Sequence, residues 1–148
     1  MIERLRSQIV YIEANVFIYA FEDHTTYSTP ARELFGMLDA GLAQGLTSEL
    51  TLAEVLVLPL RQNNYQLVTA HEMLLSTRTV VAQPVTRAIL RKAAEIRAQT
   101  GQKLPDAIHA ATAIAAGCTV VVSQDQRLYA PGLPTVRLSE FNSSRPKS

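Results

Sequence analysis

Thr119–Ser123 reads TVVVS. Four consecutive β-branched residues, Thr119 and three valines, pack well on a pleated surface and poorly in a helix. The run is apolar on both faces, so a strand built from it must be covered on both faces, which is the condition of a parallel sheet. Gln8–Ile12 (QIVYI) has the same character, and Gly45–Ser48, Thr79–Ala82 and Thr135–Leu138 are shorter strand candidates. Helical patterns fill the intervals. After Glu13, Asn15 reads as the N-cap of a helix over Val16–Phe21. Ser28-Thr29-Pro30 opens the next helix; Leu34, Phe35, Leu38 and Leu42 form its apolar stripe, and Gly41 and Gly45 end it. Glu49–Leu60 (ELTLAEVLVLPL) is apolar almost all round and predicts a buried helix ending near Pro59. Asn63–Leu75 follows as another helix. Val85–Gln99 sets Val85, Ile89, Ala93 and Ile96 on one face and Arg87, Arg91 and Glu95 on the other. Pro105 starts DAIHAATAIAA, whose small residues allow close approach to neighbours, and Gly117 ends it. Short apolar strands alternating with helices imply an α/β domain with helices on both faces of a parallel sheet. The expectation is one domain over residues 1–141 and a polar tail over 142–148.

Composition agrees with that architecture. Of the 148 residues, 47% are apolar and 18% charged, enough for a proper core and too few charges for disorder. A net charge of +1 excludes a generally basic coat for nucleic acid, though not a local patch. The single cysteine, Cys118, excludes an internal disulfide and a thiolate zinc cluster. No run approaches the roughly 18 apolar residues of a membrane span. The apolar part of the N-terminal segment is broken by Glu13 and Asn15, with no small-residue cleavage site after it. A soluble, cytoplasmic protein without membrane association is expected.

Phosphate-cradling glycine loops are absent, and His24, His71 and His109 do not form a ligand pair. His109, among small residues on a helix, reads as packed or hydrogen-bonded. The carboxylates say more. Glu13 stands just beyond the QIVYI strand and Asp125 just beyond TVVVS. In an open parallel sheet the carboxyl ends of strands line one edge, where ligands bind. Asp106 begins an apolar helix, where it favours the helix dipole. Glu54 lies within TLAEVLVL, either at the solvent edge of a half-buried helix or paired in a site; both readings stand. Clustered carboxylates raise one another's pKa, and a hard divalent cation removes that penalty. Oxygen donors favour Mg²⁺ or Mn²⁺, a setting suited to phosphodiester hydrolysis. Lys103 and Arg127 flank the last two acids and are the candidates for contacting phosphate groups, whereas Arg87, Arg91 and Lys92 read as a solvated face. Tyr129 is the candidate for base stacking; Tyr19 and Phe21 read as packing residues.

Those acids, in that order, resemble the motifs of PIN-domain nucleases, especially VapC-type toxins of type II toxin–antitoxin pairs. VYIEANVFIYAFE (10–22) resembles the opening segment with its first acid, SELTLAEVL (48–56) the segment of the second, and LPDAIHAATAIAAGCTVVVSQDQRL (104–128) the closing segment with the third and fourth. The resemblance covers nearly the whole chain. It implies a Rossmann-like three-layer α/β/α sandwich with a short, mostly parallel central sheet. It also implies a metal-dependent endoribonuclease cleaving single-stranded RNA to a 5′-phosphate and a 3′-hydroxyl, with Mg²⁺ or Mn²⁺ as cofactor. By motif match, Glu13, Glu54, Asp106 and Asp125 form the acidic catalytic and metal site, Asn15 orients the first acid or a metal-bound water, and Ser123 either bonds near Asp125 or is simply a polar strand end. An antitoxin seated near the apolar helices between Arg32 and Leu60, and a homodimer, are the implied partners; the alternative is that those apolar residues simply pack the core. One departure stands out: Glu13 replaces the usual Asp, followed by Ala14 where Thr or Ser is common. The added methylene moves the carboxylate by about 1 Å or more, against a cation that demands octahedral geometry at about 2.0–2.1 Å. The alternative is therefore a degenerate PIN domain that binds RNA or a protein partner without catalysis.

Overall fold

The computed structural model of the chain describes residues 2–23 and 26–142; His24 and residues 143–148 of the expected tail lie outside them. After a 3-10 turn (Ile2–Leu5) come β1 (Ile9–Ile12), α1 (Ala14–Phe21), α2 (Ser28–Asp39), β2 (Gln44–Ser48), α3 (Leu50–Arg61) and α4 (Tyr65–Leu74). There follow β3 (Val80–Gln83), α5 (Arg87–Thr100), α6 (Leu104–Ala115), β4 (Val120–Val122), β5 (Thr135–Val136) and α7 (Leu138–Asn142). The five strands form one sheet in the order β3-β2-β1-β4-β5, and every pairing is parallel. The α/β architecture expected from the alternation of elements is the one observed.

Period-two alternation along the central strands builds the two halves of the core. Val10, Ile12, Val120 and Val122 project to one side, where they join Phe17 of α1, Leu34 of α2 and Leu138 of α7. Tyr11 and Val121 project to the other, against Ile89 and Ile96 of α5 and the alanines of α6. Ala107, Ala110, Ala111 and Ala113 are all fully buried, so α6 packs its backbone close to the sheet and to α5. No helix among the described residues is long and apolar enough to cross a membrane.

Several local expectations change. Asn15 does not cap α1; Glu13 does, its side chain accepting from the Asn15 backbone N–H. Gly45 does not close α2 but lies inside β2, paired with Val10 and Val80. Leu138 opens α7 instead of ending a strand. Helix α3 runs past Pro59 to Arg61, and it is not buried: Thr51, Val55 and Pro59 face inward, while Val57, Leu58 and Leu60 are about half exposed. Near-continuous apolar character hid which face meets the sheet.

At Gly45 helix α2 and the residue before β3 come close to strand β2. A Cβ there would stand 2.7 Å from Leu38 Cδ1 and 3.0 Å from the Thr79 carbonyl oxygen. Gly45→Ala is expected to destabilise the fold by about 1–3 kcal/mol, read by chemical denaturation. An unchanged midpoint would mean that Leu38 simply turns aside.

Candidate active site: an acid-lined pocket at the carboxyl edge of the sheet

The chain leaves β1 toward β2 and β3 on one side and returns to β4 and β5 on the other. The neighbours β1 and β4 therefore flank the point where the winding reverses, and the crevice beyond their carboxyl ends is the expected ligand position of such a sheet. Glu13 follows β1 directly, and Asp125 follows β4 by way of Ser123 and Gln124. Asp106 from the first turn of α6 and Glu54 from the fifth position of α3 reach the same edge. All four acids line one cavity of about 390 Å³, together with Asn15, Lys103 and Arg127. The cavity thus joins every acid and both cations singled out from the sequence.

Each carboxyl group has its own compensation. Glu13 is only 5% exposed. Its Oε1 accepts from the Asn15 backbone N–H (3.1 Å) and its Oε2 from the Ser123 hydroxyl (3.4 Å). Burial pushes its carboxyl up to about 7; the Asn15 N–H and His109 oppose the rise, and Glu54 and Asp125 add to it. Asp106 is also raised, by burial and then by Asp125. Asp125 goes the other way: burial would raise it, but Arg127 holds it below its ordinary value. The Arg127 backbone N–H and Nε both donate to Asp125 Oδ1, at 2.9 and 3.1 Å. Ser123 Oγ accepts from the Asp125 backbone N–H at 3.0 Å, so Ser123 touches both acids of the β1/β4 pair. Glu54 is one-third exposed and lies against a ring: its Oε1 is 2.5 Å from His109 Nε2.

His109 is the residue whose place the sequence left open. It is 1% exposed, and its Nδ1 lies 2.5 Å from the Tyr11 hydroxyl. The structure agrees with the hydrogen-bonded reading and supplies the partners, which lie far away in sequence. A signal was present in the spacing, because His109 follows Asp106 by three residues and so shares its side of the helix. A second contact unforeseen from the sequence is made by buried Gln102: its Nε2 donates to the Tyr129 carbonyl (2.7 Å) and its Oε1 accepts from the Tyr129 N–H (3.0 Å). The Tyr129 ring stays exposed. Arg91 and Lys92 face Glu95 on α5, in keeping with a solvated helix face. Cys118 is buried and its thiol is pushed up to about 11, which removes it as a nucleophile at neutral pH.

The donor chemistry suits a hard cation: four carboxylates, two of them (Glu13 and Asp106) raised by burial and by the charges of Glu54 and Asp125. Among the described residues, no three His, Cys, Asp or Glu side chains are drawn together tightly enough to cage an ion by themselves. Mg²⁺ ordinarily binds through one or two carboxylates and retains waters, so the residues fit such an ion without a closed cage.

A doubly wound parallel domain with an acidic crevice at its switch point defines a class of α/β proteins that handle ligands at that edge. Within it, the chain belongs to the PIN domain family, whose model matches residues 10–132. Among solved structures it is similar to a toxin–antitoxin complex from Klebsiella pneumoniae, at 23% identity and a TM-score of 0.67 over 87% of this chain and 97% of that one. It is similar to VapBC2 from Rickettsia felis bound to a DNA fragment from its promoter (18%, 0.66, 87% and 98%). It is also similar to VapC20 of Mycobacterium tuberculosis, a sarcin–ricin loop cleaving toxin (18%, 0.70, 86% and 98%). No curated protein sequence matches the chain.

The raised Glu13 carboxyl has a measurable consequence. Between the ordinary value of 4.5 and about 7, the folded protein holds a proton that the unfolded chain has released. Glu13's contribution to stability is therefore full below that window and lost as pH rises through it. With EDTA present, denaturation of the wild type against pH is expected to fall more steeply there than that of Glu13→Gln. Parallel curves would contradict the burial of an ionisable group at this position.

Proposed function

We propose that this chain is a metal-dependent endoribonuclease acting on single-stranded RNA, and the toxin of a type II toxin–antitoxin pair. One observation carries the reading: acids from four segments spread over more than a hundred residues of sequence line a single cavity. Glu13, Glu54, Asp106 and Asp125 would hold Mg²⁺ or Mn²⁺. Such an ion, when bound, supplies neutralisation of phosphate charge and a more acidic water. Asn15 and Ser123 fix the orientation of Glu13 through the hydrogen bonds already described. Lys103 and Arg127, exposed at the pocket, draw in the phosphate backbone. Arg127 has a double use, since the guanidinium that pairs with Asp125 is also the one nearest an incoming phosphate.

The antitoxin is assigned to the apolar surface that α3 and α4 leave uncovered, with Val57, Leu58, Leu60, Tyr65 and Met73 all exposed. A patch of this kind suits an apolar partner segment, or a second copy of the chain. The solved neighbour from Klebsiella pneumoniae is a toxin–antitoxin complex, which supports a partner of that class. A second reading, a PIN domain that binds RNA or protein without cutting, is favoured by one observation. Glu54 and Asp125 are already engaged, by His109 and Arg127.

Cleavage separates the readings. Labelled single-stranded RNA with Mn²⁺ or Mg²⁺ is expected to yield 5′-phosphorylated products, and Asp106→Asn to lower the rate by at least about 10–100-fold, the usual cost of disturbing a metal site even at its outer partners. Equal traces from both proteins would indicate the non-catalytic reading. Glu13→Asp, which restores the shorter acid, is expected to raise Mn²⁺ affinity or activity; a large fall in both would show a pocket adapted to the longer side chain. In cells, induction of the wild type is expected to arrest growth and Asp106→Asn to spare it.

A further inference from the structure

We propose that His109 is a positioning residue of the acid pocket: held by Tyr11 on one ring nitrogen, it fixes one carboxylate oxygen of Glu54 with the other. The inference rests on the nuclease reading for its purpose, but on geometry for its substance. His109 comes from α6, Tyr11 from β1 and Glu54 from α3, so the imidazole ties together three elements that share no local sequence. Both ring contacts are 2.5 Å long, and Tyr11 and His109 meet edge to face with centroids 5.8 Å apart. Tyr11 is fully buried, and its hydroxyl meets His109 Nδ1 with a proton to give. A hydroxyl that donates to Nδ1 leaves the ring hydrogen on Nε2, where it donates to Glu54 Oε1. Among the described residues, Glu54 Oε2 has no hydrogen-bond partner. One oxygen is thus fixed from behind, and the other is left for the cavity that Glu54 lines.

The arrangement solves a problem particular to Glu54. A glutamate side chain has three rotatable bonds and loses much rotamer freedom when ordered. At one-third exposure, packing alone does not hold it. A buried ring anchored at both nitrogens does, and groups that orient metal-binding carboxylates in this way are typically worth about 10–100-fold in metal affinity.

Two substitutions test the role. Amide side chains at this position differ in reach. In His109→Gln an amide N–H takes the place of Nε2 and can still donate to Glu54, whereas in His109→Asn the shorter side chain keeps only the Tyr11 side. Mn²⁺ binding, measured without RNA by the fraction of free ion in electron paramagnetic resonance, is expected to weaken by about 10-fold or more in His109→Asn and to recover largely in His109→Gln. Thermal melting of the two variants is expected to fall alike. If Gln binds no better than Asn although both are folded, the positioning role is overturned. The ring is also read directly, in long-range ¹H–¹⁵N spectra of the metal-free wild type, where the Nε2–H form is expected and its proton is expected to move upfield in Glu54→Gln. A ring carrying its hydrogen on Nδ1 would overturn the proposal. A wild type that binds no Mn²⁺ sinks the nuclease reading alone, because the ring spectrum is taken without metal.

Discussion

Carboxylates crowded into a half-buried cavity repel one another and resist losing their water, and most of what surrounds this pocket is an answer to that cost. Glu13 receives backbone and hydroxyl hydrogen bonds, Asp125 a guanidinium, Glu54 an imidazole, and Asp106 the positive end of α6. The answers are incomplete, since Glu13 and Asp106 still titrate above their ordinary values. That residual strain leaves the cavity with an appetite for positive charge, whether a cation or the side chains of its own rim.

The fold makes such crowding possible because it brings strand ends and helix starts to one edge. Strands of three or four residues suffice at the centre of the sheet, since Val10, Tyr11, Ile12 and the three valines of β4 are covered on both sides. The alanines of α6 then do for the site what bulky residues could not. With Ala107, Ala110 and Ala111 on its buried face, the helix lies low over the sheet, and the imidazole at position 109 reaches the hydroxyl of a β1 tyrosine on one side and α3 on the other.

Much of this could be read from the residues. The valine run of β4, the matching run of β1 and the alternation with helices were enough for the parallel sheet, and the position of Glu13 and Asp125 just past those strands placed them at one edge. What stayed hidden depends on approach in space. Glu13 and Asn15 both suit a cap, and only the backbone decides that Glu13 takes it. The α3 segment is apolar on every side, so periodicity could not tell its inward face from its exposed one. Gly45 looks like a helix stop, whereas its purpose is to let Leu38 and the Thr79 carbonyl pass. The bond between His109 and Glu54 joins residues 55 positions apart, beyond any local pattern.

The Gln102 side chain meets both the backbone N–H and the carbonyl of Tyr129, as a neighbouring strand would. It stitches the turn that carries Lys103 and Asp106 to the loop that carries Asp125 and Arg127. The two halves of the entrance are therefore fastened before anything arrives. On the proposed reading, an incoming polyanion would meet charges borne by two segments already joined, and less of its binding energy would be spent on quieting loose chain.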